Sequence, residues 1–282
     1  MTGLDDLIGT TYGPYPVSVT GERVAEFVSA TGGNPDRWGG ATPPMFASAA
    51  LFSAAPAFLQ DEAVVPFTRS LIHSEQSFVW TRSLEVGETL EVAGTVQTAR
   101  ARGSLNLVTF SLAATSNNGP WLTGSSVFLM STEAAATAED ANEPDEDARP
   151  PVDLDGGTLT LPAIGETLVN LRCGASRSDL VRYAVASQDW NPIHVDHAAA
   201  RAAGLGGVVV HGLLMAAWMA RLATRYGTLA EIHLRFRKAL RPSIPAVVTG
   251  SVVAAAGHVA DLELVLSAEG QRLVTARASV TP

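Results

Sequence analysis

Two copies of one sequence pattern follow each other along the chain. Ile8-Gly9 returns 156 positions later as Ile164-Gly165, and Gly94 returns in the same register as Gly250. The other pairs at this offset are Thr20 with Ser176, Phe27 with Tyr183, Ala30 with Ala186, Val96 with Val252, and Ser111 with Ser267. A repeat this long indicates paired domains, because solenoid repeats have periods of about 20–50 residues. We therefore predict two related domains, residues 1–131 and 158–282.

The segment between the two copies, residues 132–157, carries most of the net charge. Nine acidic residues and one arginine lie between Glu133 and Asp155, against a formal net charge of −9 for the whole chain. A stretch rich in Ala, Asp, Glu and Pro is typical of a solvated linker. The remainder of the chain is close to neutral, so we expect no nucleic-acid partner, which would need a basic surface.

Each copy predicts the same order of elements. A short helix capped by Thr20 or Ser176 comes first, and an apolar segment follows, Met45 to Leu59 in one copy and Gly212 to Tyr226 in the other. A helix that is apolar nearly all round must be enclosed. Alternating apolar and polar residues predict the enclosing strands at 70–82, 88–100, 104–115, 121–130, 230–239, 245–256, 258–268 and 271–281. We predict an α+β fold with two long buried helices, each wrapped by a curved antiparallel sheet.

The sequence also predicts a cellular compartment. No apolar run approaches the roughly 20 residues of a membrane span, and Asp5 and Asp6 do not fit a signal peptide. Cys173 is the one cysteine, which agrees with a reducing compartment, and it is interpreted as a small strand residue. We expect a cytoplasmic protein.

One stretch of the second copy carries residues suited to chemistry. Asp189 and His194 are five positions apart, and Asn191-Pro192 forces a turn between them. A carboxylate and an imidazole held in this way can face a common point, as general acid–base catalysis requires. A metal cluster of Asp189, His194, Asp196 and His197 is the alternative interpretation of the same residues.

This stretch resembles a known family signature. Tyr183 to His194, read as Tyr-Ala-Val-Ala-Ser-Gln-Asp-Trp-Asn-Pro-Ile-His, and then Val-Val-Val-His-Gly ending at Gly212, are similar to the motif of the MaoC-like (R)-specific enoyl-CoA hydratases. The two-copy layout resembles the double-hotdog form of that family. The resemblance implies reversible hydration of trans-2-enoyl thioesters to (3R)-3-hydroxyacyl thioesters, without metal or other cofactor. Gln188 departs from the motif, because the family usually has glycine there.

The resemblance also implies roles for the motif residues. His194 would exchange the C2 proton of the substrate, and Asp189 would hold the water or the departing hydroxyl, although the two assignments could be exchanged. The backbone N–H of Gly212, at the start of the apolar helix, would stabilise the thioester oxygen. Asn191 would orient the loop or the substrate.

Further residues are candidates for substrate binding. His211 would touch the substrate or support the site from behind. Arg235, Arg237 and Lys238, with Arg241, form a basic cluster that would bind the phosphates of coenzyme A or of an acyl-carrier protein, and the alternative is a solvated strand end. Three histidines on predicted strands are interpreted as structural: His73, His233 and His258. A homodimer of such chains is a further expectation.

The first copy lacks the acid and the base. Gly32 corresponds to Asp189 and Arg37 to His194, while Asn34-Pro35 keeps the turn. We predict a non-catalytic first domain in which residues 45–59 form an acyl tunnel for long or bulky chains. The alternatives are a hotdog acyl thioesterase and a non-catalytic acyl-binding or scaffold protein, since one fold can host several functions.

Overall fold

A computed structural model describes residues 3–138, 147–153 and 155–282. Its helices are α1 (Gly21–Ala30), α2 (Ala47–Leu59), α3 (Arg177–Ser187), α4 (His197–Ala202) and α5 (Gly212–Ala223). The strands of the first half are β1 (Thr11–Ser18), β2 (Ser70–Trp80), β3 (Thr89–Arg102), β4 (Leu105–Ser116) and β5 (Gly119–Ser131). Those of the second half are β6 (Leu171–Cys173), β7 (Thr228–Phe236), β8 (Ala246–Ala256), β9 (Val259–Ala268) and β10 (Gln271–Thr281).

All ten strands form one antiparallel sheet, in the order β1-β3-β4-β5-β2-β7-β10-β9-β8-β6. The halves meet where β2 pairs with β7, with Phe78 opposite Ile232. The predicted pair of wrapped helices is confirmed, but the two predicted sheets are joined into one. The eight predicted strands are present, and the sequence missed β1 and the three-residue β6.

The helices α2 and α5 lie against the sheet in the manner expected of apolar helices. Every residue of α5 from Leu213 to Ala223 is buried, and the helix contacts β7, β8, β9 and β10. The helix α2 contacts β1, β3 and β4 of its own half. Because an all-round apolar helix cannot be left in water, its burial fixes the sheet around it.

The short helices begin at the predicted caps. The side chain of Thr20 accepts a hydrogen bond from the backbone N–H of Arg23. Ser176 and Asp179 form a capping box at the start of α3. The helices α1 and α3 then pack against each other, which brings the turns that follow them to neighbouring positions.

Part of the predicted linker is docked on the protein and not solvated. Asp153 binds Arg172 at 2.8 Å, and the side chain of Asp155 is only 1% exposed in an ion pair with Arg37. The interpretation of 132–157 as a solvated segment is therefore wrong for its last residues. Residues 139–146 and Leu154 lie outside the described part of the chain.

Two smaller expectations concern membrane spans and the cysteine. Within the described ranges, no helix is both long enough and apolar enough to cross a membrane. Cys173 lies buried on β6, and burial raises the pKa of its thiol to about 12. The interpretation of Cys173 as a small strand residue is confirmed.

Candidate active site

The loop after α3 begins at Gln188, which adopts a left-handed conformation with φ of 65°. This is the position where the motif usually has glycine, and the positive φ gives the physical reason for that preference. The side-chain amide of Gln188 donates to the carbonyl of Val185 at 2.6 Å. Asp189 then turns inward, with its N–H donating to the hydroxyl of Ser187 at 3.3 Å. Gln188 therefore keeps the backbone shape that the motif requires.

Three ionisable side chains converge behind this loop. Asp189, His194 and His211 are 7%, 6% and 0% exposed, and one ligand atom from each lies within 4.8 Å of the others. The rings of His194 and His211 stack with centroids 3.8 Å apart and an interplanar angle of 23°. The structure thus brings together the predicted acid and base, and it adds His211 directly against them.

The hydrogen bonds of the two histidines fix their tautomers. His194 Nδ1 lies 2.8 Å from the carbonyl oxygen of Val209. Because a carbonyl can only accept, Nδ1 carries the proton and Nε2 of the neutral ring keeps a lone pair. His211 Nε2 lies 3.3 Å from the carbonyl oxygen of Asp189 and is protonated for the same reason. His211 Nδ1 is buried and has no hydrogen-bond partner among the described residues.

Burial shifts the pKa values of Asp189 and His194 in opposite directions, so the carboxyl group binds a proton more readily than the imidazole does. It raises the pKa of Asp189 to about 7, although the N–H of Asn191 acts in the opposite direction. It lowers the pKa of His194 to about 4. The pKa of His211 is well below its ordinary value, first because of burial and then because of the neighbouring His194. At neutral pH both imidazoles are neutral, and a substantial fraction of Asp189 is protonated.

Asn191 and Gly212 occupy supporting positions. The side-chain oxygen of Asn191 accepts the N–H of Ile193 at 3.4 Å, so it caps the short 3₁₀ turn Pro192–His194. Gly212 is the first residue of α5, where a backbone N–H has no acceptor within the helix. A Cβ atom added to Gly212 would lie 3.3 Å from the ring of Phe236, so the aromatic ring packs directly on the glycine.

The predicted basic residues lie around the end of β7. Arg235 is ion-paired with Glu75 at 3.2 Å, a partner from the first half that the sequence did not indicate. Arg237 and Lys238 bind the neutral side chains of Thr275 and Gln271 and form no ion pair with a described residue. The loop that follows β7 contacts the segment before His211, because the N–H of Val210 donates to the carbonyl of Leu240 at 2.8 Å.

The three histidines interpreted as structural lie on strands of the sheet or in a turn between two of them. His73 lies on β2 with its ring against Phe128 and Phe236, and burial lowers its pKa to about 4. His233 lies on β7 beside Glu75 at 3.4 Å. The placement of His258 on a strand is wrong, because it lies in the turn between β8 and β9, where Gly257 supplies a positive φ.

The alternative metal cluster is not formed as predicted. Asp196 caps α4 by accepting the N–H groups of Ala198 and Ala199, and His197 Nδ1 accepts from Val208 N–H at 3.3 Å. Among the residues that the structure describes, the group able to hold a metal ion is Asp189, His194 and His211. That the protein needs no metal remains an expectation.

In the first half, the turn that corresponds to Asp189–His194 lies beside two arginine side chains, Arg37 and Arg221. Arg37 Nη1 binds Asp155 at 2.7 Å, and its Nη2 donates to Thr224, the residue that caps the C-terminus of α5. The buried Arg221 donates to the carbonyl of Gly32 and, at 3.3 Å, to the carbonyl of Asp153. Of the two positions that correspond to the predicted acid and base, Arg37 thus binds the end of the linker directly, and Gly32 accepts a hydrogen bond from Arg221, which also binds the linker.

Comparisons with known proteins match this architecture. Residues 158–261 match the model of the MaoC like domain, and residues 6–122 match that of the FAS1-like dehydratase domain region. A UPF0336 protein of Cutibacterium acnes is 29% identical over 135 residues, 46% of this chain and 95% of that protein. The mitochondrial 3-hydroxyacyl-[acyl-carrier-protein] dehydratase of Arabidopsis thaliana is 37% identical over 67 residues, but these are 24% of this chain and 40% of that protein.

Solved structures agree over the whole chain. A protein described as a MaoC-like dehydratase superposes with a TM-score of 0.82 at 21% identity, with 99% of each chain covered. A conserved hypothetical protein of Mycobacterium tuberculosis, described as a double hotdog fold, superposes with a TM-score of 0.70 at 14% identity, with 99% and 98% covered. The chain is therefore a double hotdog with a FAS1-like dehydratase region followed by a MaoC-like domain. Residues 158–261 are thus a MaoC-like domain, which confirms the resemblance seen in the sequence, and the dehydratase matches support a lyase activity in general.

Proposed function

We propose that the protein catalyses the reversible hydration of trans-2-enoyl thioesters to (3R)-3-hydroxyacyl thioesters. The observation that carries this proposal is the pairing of a neutral imidazole with a buried carboxyl group whose pKa is raised to about 7. Dehydration needs one group that removes a weakly acidic proton and a second that protonates a poor leaving group. Asp189 and His194 supply both at neutral pH.

In the dehydration direction, Nε2 of His194 takes the proton from C2. The protonated carboxyl of Asp189 gives its proton to the C3 hydroxyl, which leaves as water while the C2–C3 double bond forms. The N–H of Gly212, at the positive end of the α5 dipole, donates to the thioester oxygen as negative charge develops there. Asn191 keeps the loop in place. Hydration is the reverse, with the proton returning to Asp189.

The substrate would be held by one unpaired ring nitrogen, that of His211, and by the cationic side chains at the end of β7. The free Nδ1 of His211 can accept a hydrogen bond from the substrate hydroxyl or the attacking water. Arg237 and Lys238 bind the phosphates of the carrier, and Arg235 contributes through its half-exposed guanidinium beside Glu75. Coenzyme A and an acyl-carrier protein are both candidate carriers, and the Arabidopsis relative is named for an acyl-carrier-protein substrate.

The first domain, residues 1–131, is proposed to bind the acyl chain without taking part in the chemistry. The buried positions of α2 are mostly small residues, whereas those of α5 include Met215, Trp218 and Met219. Small side chains on α2 leave room for a long or bulky acyl chain. A cytoplasmic location and a homodimer of such chains complete the proposal.

The test follows the loss of enoyl-thioester ultraviolet absorbance in the presence of the purified chain. Replacement of His194 by Ala, or of Asp189 by Asn, should lower kcat by at least roughly 10²–10⁴-fold, the usual contribution of a general acid or base. His258→Ala is the matched control, because this histidine is exposed on a distant turn. Near-normal activity of His194→Ala would refute the assignment.

A thioesterase is the second candidate, because a putative oleoyl thioesterase of Lactobacillus plantarum shares the fold with a TM-score of 0.59 at 9% identity. Likeness at that level concerns the fold alone. Release of free thiol from acyl-CoA, without change of enoyl absorbance, would favour this activity. A non-catalytic scaffold is the third, and it leaves the convergence of Asp189, His194 and Gly212 in one half unexplained.

A further inference from the structure

A buried tyrosine connects the first half of the chain to the catalytic side chains. Tyr183, on α3, is fully buried, and its ring meets the ring of His211 edge-on with centroids 4.9 Å apart. On its other side it lies against Phe27 of the first half, with ring centroids 6.0 Å apart. We propose that Tyr183 is a positioning residue, through which Ser48 of the non-catalytic half holds His211 against His194.

The hydrogen bonds at Ser48 have one consistent direction. Ser48, in the first turn of α2, is fully buried, and its hydroxyl donates to the carbonyl of Met45 at 2.9 Å. The hydroxyl of Tyr183 lies 3.1 Å from Ser48 Oγ. Because the proton of Ser48 is already used, Tyr183 must be the donor. The orientation of the tyrosine is therefore set by a residue outside the catalytic half.

Tyr183 can affect Asp189 and His194 through His211, which lies between them. His211 stacks on His194 at 3.8 Å and donates to the backbone of Asp189, so it touches both catalytic residues at once. Its Nδ1 has no hydrogen-bond partner among the described residues, so the ring of His211 is positioned by its hydrogen bond to Asp189 and by packing against the rings of His194 and Tyr183.

The arrangement gives the first half a role in the chemistry beyond binding an acyl chain. The burial that keeps His194 neutral depends on His211 and Tyr183 filling the space behind it. If Tyr183 shifts, His211 loosens and water reaches His194, which raises the pKa of His194 toward the ordinary value of about 6.5. This inference rests on the proposed function only where activity is the readout.

The experiment compares Tyr183→Phe, Ser48→Ala and the double variant. Each single variant should lower kcat by about three- to tenfold, which corresponds to one hydrogen bond, with KM changed little. The acidic limb of the pH profile should move upward from about pH 4. The double variant should lose no more than either single variant, because one interaction is removed in all three.

Two further measurements keep the test independent of folding and of the proposed reaction. Tyr226→Phe is the matched control: Tyr226 is also buried and its hydroxyl accepts from Val169 N–H, but it follows the far end of α5. It should lose stability without a change in the pH profile. NMR titration of His194 needs no substrate and should show a raised pKa in Tyr183→Phe and Ser48→Ala. An unchanged His194 titration in both would overturn the inference, whereas failure of the proposed function would show as an inactive unaltered chain.

Discussion

At the scale of single residues, the site depends on where one proton is held. Asp189 and His194 both sit in surroundings that disfavour charge, and burial moves their pKa values in opposite directions. In water the imidazole would be the more basic group, but in this site the carboxyl is. The pair therefore rests with its proton on Asp189, the residue proposed to protonate the leaving hydroxyl.

This reversal of the usual order of pKa values predicts a bell-shaped dependence of kcat/KM on pH. Below about pH 4 His194 is protonated and cannot act as a base, so kcat/KM of dehydration should rise as pH increases through that value. Above about pH 7 Asp189 loses the proton that it must donate, so the rate should fall. Both directions need one proton on the pair, so hydration should follow the same limits. Initial rates between pH 3.5 and pH 9 would check this, and a rate still rising above pH 8 would contradict it.

Residues that act through contacts with other elements were the hardest to predict. Asp189 and His194 could be found because they share one turn in one short stretch of sequence. Ser48 and Tyr183 are 135 positions apart, and nothing in either local pattern indicates their hydrogen bond. Arg235 was assigned to the substrate without its partner Glu75, which only the pairing of β2 with β7 brings near.

At the scale of elements, the amphipathic and alternating patterns predicted nearly all of the fold. Local patterns predicted the helices α1, α2, α3 and α5, the caps of α1 and α3, and eight strands, because each element must bury an apolar face. The six-residue α4 was not predicted. Strands β1 and β6 were missed, since one is interrupted by Pro14 and Pro16 and the other is three residues long. The docking of the end of the linker was also missed. Composition treats all acidic residues of 132–157 as one solvated group, whereas Asp155 forms a specific ion pair with Arg37.

The ion pair between Asp155 and Arg37 predicts that the end of the linker stabilises the fold. Replacement of Asp155 by Ala would leave Arg37, whose side chain is 15% exposed, without its counter-ion. We expect a loss of up to about 3 kcal/mol in the free energy of unfolding, as for other ion pairs removed from the interior. Arg172→Ala is the control, because its pair with Asp153 is more exposed to solvent and should contribute much less. Urea unfolding of the two variants measures the difference, and equal losses would contradict the prediction.

At the scale of the whole molecule, the second half carries the proposed reaction, and the first half is proposed to shape its surroundings. The difference in side-chain size between α2 and α5 predicts a preference for long acyl chains. Turnover should be higher on long or bulky 2-enoyl thioesters than on a four-carbon substrate. Ala54→Leu, which enlarges a buried side chain of α2, should reduce turnover of long substrates and spare the four-carbon one. A strong preference of the unaltered chain for four-carbon substrates would contradict the tunnel.

The pairing of β2 with β7 has a consequence for how such a protein is assembled. In a separated second half, β7 would become an edge strand with a row of unpaired backbone groups, which readily attract another strand. The partner nearest in shape would be a second copy of the same half, and the resulting symmetric pair would lack Ser48, Phe27 and the small side chains of α2. Joining the halves in one chain fixes their ratio at one to one and gives each second half a first half that supplies Ser48 and Phe27.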